Sequence, residues 1–185
     1  MTATQSYLRG KQILAVDDEE DILETIQDIL DESEIDPARD YDSALQKIRQ
    51  HHYDLAILDI MGVNGLQLLE ETVARNIPTV MLTAHAINPD TLLESIRKGA
   101  IAYLPKETLA ELDDVLNDLF GAYQRGEPPW QRLFEKMGDY FEQRFGPGWQ
   151  RRDQEFWSTF SRTYQIGKGI QERLKYDERL LGKGI

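Results

Sequence analysis

The sequence predicts an α/β protein in which a five-stranded parallel sheet is covered by helices on both faces. Short apolar runs alternate with amphipathic runs of helical periodicity through the first 120 residues, a pattern typical of repeated βα units. The predicted strands are apolar at nearly every position, as strands buried on both faces are. Capping residues and glycines separate the elements.

The first two βα units are predicted between residues 12 and 50. Gln12–Val16 is a short apolar run, and Glu20–Ser33 repeats isoleucine and leucine at helical spacing. Ile35–Ala38 predicts a weak strand that Pro37 confines to an edge of the sheet, because proline donates no ladder hydrogen bond. A second helix is predicted over Ser43–Gln50.

The remaining signals predict strands 55–58, 79–82 and 101–104 and helices 66–75, 89–98 and 108–120. Asn88 is the expected N-cap of the helix that begins at Pro89, and Gly99 its stop. Thr108 and Glu111 have the spacing of a capping box, which predicts that the last helix begins there.

Composition divides the chain into two regions. Residues 1–119 carry 9 basic and 24 acidic side chains, a net charge of −15, whereas residues 120–185 carry 12 and 9, a net charge of +3. Thirteen of the 17 aromatic residues lie in the second region. We expect a domain over 10–120, a linker over 121–129 and an aromatic helical extension, called the tail, over 130–185.

The tail is predicted to contain two helices. Six apolar residues form a helical stripe, namely Trp130, Leu133, Phe134, Met137, Phe141 and Phe145. Gly146-Pro147-Gly148 breaks this helix, and Phe156, Phe160 and Tyr164 mark the next. Two helices alone bury few rings, so the first region, a second copy of the chain or a partner protein must cover the rest. A homodimer or partner docking through these helices is the main hypothesis.

Several classes of function are excluded or disfavoured. The absence of cysteine excludes disulfides, thiol nucleophiles and thiolate metal sites. The net charge of −12 argues against binding of nucleic acid or of acidic membranes. The first residues lack the apolar core of a signal peptide, and no apolar run approaches the roughly 20 residues of a membrane span. We expect a soluble, cytoplasmic protein.

Polar residues follow four of the five predicted strands. Asp17 and Asp18 follow the first, Asp59 the third, Thr83 the fourth and Lys106 the fifth. Each alone has an ordinary explanation as a turn, strand or surface residue. Because ligands bind at the carboxyl ends of parallel strands, their joint occurrence indicates one site. The three acidic residues directly after Asp18 are expected to be first-turn residues that stabilise a helix, namely Glu19, Glu20 and Asp21.

The chemistry of this set favours Mg²⁺ and a phosphoryl group. Three crowded carboxylates repel one another unless a cation is present, and all-oxygen ligation suits Mg²⁺. The Lys106 ammonium and the Thr83 hydroxyl are suited to phosphoryl oxygens. Asp59, alone at a central strand end, is the expected nucleophile.

The segments ILAVDDEED, LAILDIMGVNG, TVMLTAHA and AYLPKE occur in this order, and with them residues 10–120 resemble a response-regulator receiver domain of two-component signalling. The resemblance implies a flavodoxin-like, doubly wound sheet of order 2-1-3-4-5. It also implies Mg²⁺ as the cofactor, with Asp18 and Asp59 as direct ligands, the Met61 main-chain carbonyl completing the protein set and Asp17 acting largely through water.

The resemblance further implies that Asp59 accepts a phosphoryl group from a sensor histidine kinase or a phosphotransfer protein. Thr83 and Lys106 would contact that group, and Tyr103 matches the aromatic switch position. The chain would then be a signalling switch and not an enzyme, beyond Mg²⁺-dependent self-phosphorylation and self-dephosphorylation. We expect phosphorylation to change how the tail docks. The alternative is a degenerate receiver that acts as a phosphorylation-independent interaction module.

Three features depart from the family pattern. The loop after Asp59 is about two residues shorter than the usual Met-Pro-x-Met-Asp-Gly, which alters the segment that supplies the main-chain ligand. Pro105 precedes Lys106, where the family has a proline after the lysine. The tail does not match a common DNA-binding output domain.

Overall fold

The computed structural model describes residues 5–85 and 87–163 and contains the predicted five-stranded parallel sheet. The strand order is β2-β1-β3-β4-β5, which confirms the predicted order 2-1-3-4-5. The strands are β1 (Gln12–Val16), β2 (Glu34–Ala38), β3 (Leu55–Leu58), β4 (Thr79–Thr83) and β5 (Ala102–Pro105).

Helices cover both faces of the sheet and form the tail. The α-helices are α1 (Glu20–Ile29), α2 (Tyr41–Gln50), α3 (Gly65–Ala74), α4 (Pro89–Lys98), α5 (Leu112–Gln124), α6 (Pro129–Phe145) and α7 (Gln154–Thr163). Two 3₁₀ helices span Lys106–Glu111 and Trp149–Asp153. None of the described helices is both long and apolar enough to cross a membrane.

Burial follows the strand pattern. Every residue of β3, β4 and β5 is buried, whereas β2 at the edge is mostly half-buried or exposed and contains Pro37. The predicted ends of α4 are confirmed: the Asn88 side chain accepts a hydrogen bond from the Thr91 N–H, and Gly99 adopts a left-handed conformation with φ of 98°.

The region around the last receiver-like helix differs from the prediction. The Thr108 hydroxyl donates to the Pro105 carbonyl at 2.6 Å within the 3₁₀ helix, so the predicted capping box is wrong and α5 begins at Leu112. The helix then continues to Gln124 because its last turns are also packed: Ala122 is buried. The non-helical connection is therefore residues 125–128, shorter than the predicted linker 121–129.

The tail packs back onto the sheet region. Helix α6 contacts α5 and β5, and the Trp130 indole N–H donates to the Ala100 carbonyl at 2.9 Å. The Arg97 guanidinium of α4 lies 5.2 Å from the centre of the Phe156 ring. Among the three partners that the sequence left open, the sheet region therefore covers much of the tail. Tyr164 and the glycine-rich end of the chain lie outside the described residues.

Candidate functional site

The register of the sheet brings the expected polar residues together at the carboxyl ends of the strands. Val16 pairs with Leu58, Leu58 with Met81 and Thr83 with Pro105. The residues that follow these strand ends are therefore neighbours in space, although up to 89 positions separate Asp17 from Lys106. The predicted convergence of residues of different strands at one site is present in the structure.

Lys106 is the centre of this site. Its side chain is 7% exposed, and its Nζ lies 2.7 Å from Asp17 Oδ2 and 3.1 Å from Asp59 Oδ2. A third carboxylate, Glu19, lies 3.0 Å from Nζ through Oε1. The other oxygens of the two aspartates accept main-chain hydrogen bonds, Asp17 Oδ1 from the Glu19 N–H at 2.9 Å and Asp59 Oδ1 from the Ile60 N–H at 2.7 Å.

Thr83 carries a buried hydroxyl at the end of β4. Its residue is fully buried, and its Oγ1 has no hydrogen-bond partner among the residues that the structure describes. Buried hydroxyls are nearly always hydrogen-bonded, and an unpaired one costs about 1–3 kcal/mol. This unused donor, at the edge where Asp59 and Lys106 lie, is the mark of a site arranged for an additional oxygen ligand.

Three carboxylates form a cluster with the geometry of a cation site. Asp17, Asp18 and Asp59 each offer an oxygen, and these oxygens lie within 4.8 Å of one another. Asp17 and Asp59 are buried and Asp18 is exposed, so a cation held there would keep access to water. An all-oxygen set with room for water fits Mg²⁺.

The shortened loop after Asp59 is tightly packed. Gly62 has a φ of 81°, and a Cβ there would lie 2.7 Å from the Asp18 carboxyl carbon. At Gly65 a Cβ would overlap the main-chain oxygen of Asp59. Gly62 is thus required for the close approach of this loop to the Asp18 carboxylate, and Gly65 for its close approach to the Asp59 main chain. The Met61 side chain is 54% exposed.

Comparison with known proteins identifies the family. The model of the response regulator receiver domain matches residues 13–117, more than half of the chain. The chain belongs to this receiver-domain family. The predicted resemblance and fold class are thereby confirmed.

Individual relatives agree with this assignment. The phosphate regulon transcriptional regulatory protein PhoB of Klebsiella pneumoniae is 35% identical over 120 aligned positions, and the match covers 58% of this chain and 52% of that protein. The transcriptional regulatory protein MalR of Bacillus subtilis is 40% identical over 73 residues, 37% of this chain and 31% of that protein. The chain therefore spans about half the length of PhoB, the more extensive of these two matches.

Solved structures show the same fold. A CheY-like receiver domain protein from Methanospirillum hungatei JF-1 superposes with a TM-score of 0.57 at 27% identity, over 63% of this chain and 98% of that one. The receiver domain of the Francisella response regulator 1452 gives a TM-score of 0.54 at 27% identity, over 60% of this chain and 98% of that one.

The electrostatics of the receiver site follow from burial and from the central lysine. Burial raises the pKa of Asp17, and the neighbouring charge of Asp59 adds to this, against the opposing effect of Lys106. For Lys106, burial would lower the pKa, but the hydrogen bonds to Asp17, Glu19 and Asp59 outweigh it and raise the pKa above its usual value. The ammonium therefore stays charged throughout the physiological pH range.

Tyr103 lies apart from the carboxylates, on the side of β5 that faces the tail. It is fully buried, and its hydroxyl lies 2.9 Å from Thr91 Oγ1 and accepts a hydrogen bond from the Asn88 N–H at 3.3 Å. Its ring centre lies 6.3 Å from that of Phe141 in α6. The residue at the predicted switch position thus joins α4 to the tail.

One charged partner of the site was missed by sequence reasoning. Glu19 was expected to be a first-turn residue of α1, yet its side chain contacts Lys106. It is the helix N-cap residue, and its side chain makes no capping hydrogen bond. The signal in the sequence that could indicate this contact is the position of Glu19 directly after the aspartate pair, because it lies at the same strand end.

Proposed function

We propose that this receiver domain accepts a phosphoryl group on Asp59 from a sensor histidine kinase or a phosphotransfer protein, in a Mg²⁺-dependent reaction. The observation that carries the proposal is the buried, unpartnered Thr83 hydroxyl at the edge where Lys106 contacts Asp59. These two groups are a hydrogen-bond donor and a cation for phosphoryl oxygens. Asp59 follows β3, the strand next to β4, which ends in Thr83.

The transfer is a displacement at phosphorus. A carboxylate oxygen of Asp59 forms a new O–P bond while the N–P bond of a phosphohistidine breaks, and the electron pair of that bond returns to the imidazole. The Ile60 N–H holds Asp59 Oδ1, which orients the carboxylate. Lys106 then offsets part of the added charge, about −1.5 to −2 at neutral pH.

The cation would be held by Asp17, Asp18 and Asp59, with the Met61 main-chain carbonyl as a further ligand. The fit rests on the carboxylate cluster and on Gly62, whose lack of a side chain lets the loop approach Asp18. When bound, Mg²⁺ supplies neutralisation of the charge that develops on the phosphoryl oxygens.

A mass measurement tests phosphorylation. The full chain is incubated with acetyl phosphate and Mg²⁺, and intact mass is measured for the wild type, Asp59→Asn and the surface control Asp90→Asn. We expect one phosphoryl adduct on the wild type and the control, none on Asp59→Asn, and none in any protein with excess EDTA. No adduct on the wild type would instead support the degenerate receiver that acts as an interaction module.

The proposed output is a change in tail docking, through Thr83 and Tyr103 as switch residues. Support comes from the contact between Tyr103 and Phe141, which places the tail against the residue expected to respond. If Thr83 moves toward a phosphoryl group, Tyr103 follows into the space it leaves and withdraws from Phe141. The chain then acts as a signalling switch, with no separate substrate turned over.

Hydrogen exchange tests this output. We expect amides of α6 to exchange faster when the full chain is saturated with beryllofluoride and Mg²⁺ than in the unliganded protein. The Asp59→Asn protein under the same conditions is the control and should show no change. Identical protection of α6 in both states of the wild type contradicts tail switching while leaving phosphorylation itself intact.

The other partner hypotheses stay predictions. A homodimer through the C-terminal helices has a competitor in the structure, because α6 is already packed on α5 and β5 of the same chain. Light scattering over a concentration series distinguishes the two arrangements. PhoB and MalR are named as transcriptional regulators, so the expected absence of nucleic-acid binding calls for a direct binding assay.

A further inference from the structure

The Lys106 ammonium is surrounded by three carboxylates of different character. Asp17 and Asp59 have side chains only 3% and 5% exposed, whereas the Glu19 side chain is 53% exposed. All three have an oxygen 2.7 to 3.1 Å from Nζ. An ammonium has three N–H donors, and here it hydrogen-bonds Glu19 and Asp59 and forms an ion pair with Asp17.

A phosphoryl group on Asp59 brings several oxygens close to Lys106, so these oxygens compete with the neighbouring carboxylates for its donors. Asp59 carries the phosphoryl group itself. Asp17 is buried and is also held through its second oxygen by the Glu19 N–H. The Glu19 carboxylate reaches Lys106 from the solvent side, and on release it would be hydrated, which is inexpensive for an exposed charge.

We propose that Glu19 is a positioning residue that holds Lys106 in the unphosphorylated receiver and occupies the place that a phosphoryl oxygen takes. This inference rests on the proposed phosphorylation of Asp59 and adds a regulating residue to that site. Phosphorylation then requires exchange of one anionic ligand of Lys106 for another. The displaced carboxylate stays close to the site and opposes the incoming negative charge.

The charge of Glu19 thus has opposite effects in the two states. In the unliganded protein it stabilises the fold by pairing with Lys106, and in the phosphorylated protein it competes with the phosphoryl group. Glu19→Gln should therefore weaken the first state and favour the second. Ion pairs with an exposed partner are modest in energy, so we expect beryllofluoride to bind about two- to fivefold more tightly to Glu19→Gln in the presence of Mg²⁺.

The test compares two adjacent acidic residues in the full chain. Glu20 is also exposed but pairs with Arg39, at 3.2 Å, and not with Lys106, so Glu20→Gln is the matched control. Beryllofluoride affinity is measured for both variants and the wild type, and so is the urea midpoint with and without saturating beryllofluoride. Glu19→Asp keeps the charge on a shorter side chain and should give an intermediate affinity.

The expected result is that beryllofluoride reduces or reverses the difference in urea midpoint between Glu19→Gln and the wild type. Glu19→Gln should have a lower urea midpoint than the wild type without ligand and a smaller deficit, or a gain, with beryllofluoride. A merely structural ion pair would lower both midpoints equally and leave the affinity unchanged, and that result overturns the inference. A wild-type protein that binds no beryllofluoride would overturn the proposed phosphorylation first, and this inference with it.

Discussion

The buried hydroxyl of Thr83 is unfavourable for the stability of the fold and suited to binding a ligand. Its fully buried hydroxyl has no partner among the described residues, whereas the buried Thr72 hydroxyl donates to the Leu69 carbonyl at 3.0 Å and lies 2.6 Å from Thr79 Oγ1. The two threonines have the same side chain and similar burial. Thr72 lies in α3 and Thr83 at the end of β4, and their hydroxyls differ in hydrogen bonding.

Replacing each threonine by the isosteric valine should therefore have opposite results. Thr83→Val removes an unpaired hydroxyl and should raise the free energy of unfolding by about 1 kcal/mol. Thr72→Val removes the hydrogen bonds that the Thr72 hydroxyl makes and should lower the free energy of unfolding by about 1–2 kcal/mol. Urea unfolding of the unliganded protein measures both. Thr83→Val should also weaken beryllofluoride binding, which Thr72→Val should leave unchanged. A destabilised Thr83→Val would show that the hydroxyl is already satisfied.

Gly65 and Gly138 differ in the space available for a side chain. A Cβ at Gly65 overlaps the Asp59 main-chain oxygen, whereas a Cβ at Gly138 in the middle of α6 meets nothing within 4 Å. We expect Gly65→Ala to destabilise the protein by about 1–3 kcal/mol through overpacking. Gly138→Ala should stabilise it by about 0.5–1 kcal/mol through helix propensity. Urea midpoints that move in the same direction would contradict this.

At the scale of elements, the turn between α5 and α6 is held by an ionic cluster. The Glu127 carboxylate accepts from Arg125 at 3.0 and 3.1 Å and from Arg132 at 3.3 Å. The Arg125 side chain also donates to the Tyr7 hydroxyl at 2.8 Å, so the N-terminal segment is tied to the same turn. This cluster lies where the chain reverses to bring the tail back.

The cluster predicts a pH dependence of stability. The hydrogen bond from Arg125, with help from Arg132, lowers the pKa of Glu127 to about 2, against about 4.3 in the unfolded chain. Its contribution is therefore present above about pH 4.3 and is lost as the pH falls toward 2. Urea midpoints of the wild type and Glu127→Gln should differ at pH 5 and converge near pH 2. A difference that persists at pH 2 would contradict the ionic origin.

The contact of α6 with the connection between α4 and β5 depends on one indole. Trp130 donates to the Ala100 carbonyl at 2.9 Å, whereas the Trp149 indole makes no such bond among the described residues. Trp130→Phe and Trp149→Phe remove the same atoms from two well-packed rings, but only the first removes this hydrogen bond to Ala100. We expect Trp130→Phe to cost about 1 kcal/mol more in urea unfolding. Equal losses would assign the role of Trp130 to packing alone.

The elements that local sequence predicts well are those with a local cause. Gln12–Val16 and Leu55–Leu58 are apolar runs bounded by polar residues, and both strands are observed with these bounds. Helix α4 has an N-cap, a first-turn proline and a terminal glycine of its own. Because parallel strands align their carboxyl ends, the positions of Asp59, Thr83 and Lys106 also follow from the order of strands.

Features with a distant cause were not predictable in this way. Glu19 contacts Lys106 across 87 positions, and periodicity near Glu19 indicates only a helix start. Thr108 and Glu111 have capping-box spacing, but the hydroxyl bonds Pro105 and the segment winds as a 3₁₀ helix. The spacing of the aromatic rings in the tail predicts that they are buried. It does not indicate which surface covers them, since the first region, a second copy of the chain or a partner protein could each do so.

At the scale of the molecule, Tyr103 belongs to the strand that ends next to Lys106 and also contacts the tail. Thr83 and Lys106 are at the sheet edge, Tyr103 is on β5 between them and α6, and Phe141 contacts Tyr103 from the tail side. If both a phosphoryl group and the tail bias the position of Tyr103, their effects on it are linked. Linkage of this kind is reciprocal and has typical coupling free energies of about 1–3 kcal/mol.

Reciprocity turns the proposed output into a prediction about the input. If beryllofluoride loosens α6, then a variant with a loosened α6 must bind beryllofluoride more tightly. Phe141→Leu removes the ring that contacts Tyr103 while keeping an apolar side chain of helical preference, and we expect its affinity for beryllofluoride to rise by about fivefold or more. Phe160→Leu is the control, because it removes a tail ring that packs on Trp130, Phe134, Phe156 and Trp157.

The comparison also separates coupling from general destabilisation. Both leucine variants remove an aromatic ring from the tail and should lower its packing energy, but Phe141→Leu also removes the ring that contacts Tyr103. An equal rise in both variants would mean that any weakening of the tail favours the liganded state, through docking as a whole. Unchanged or weaker binding to Phe141→Leu would show that the tail covers β5 without sensing it, and the receiver would then need another surface for its output.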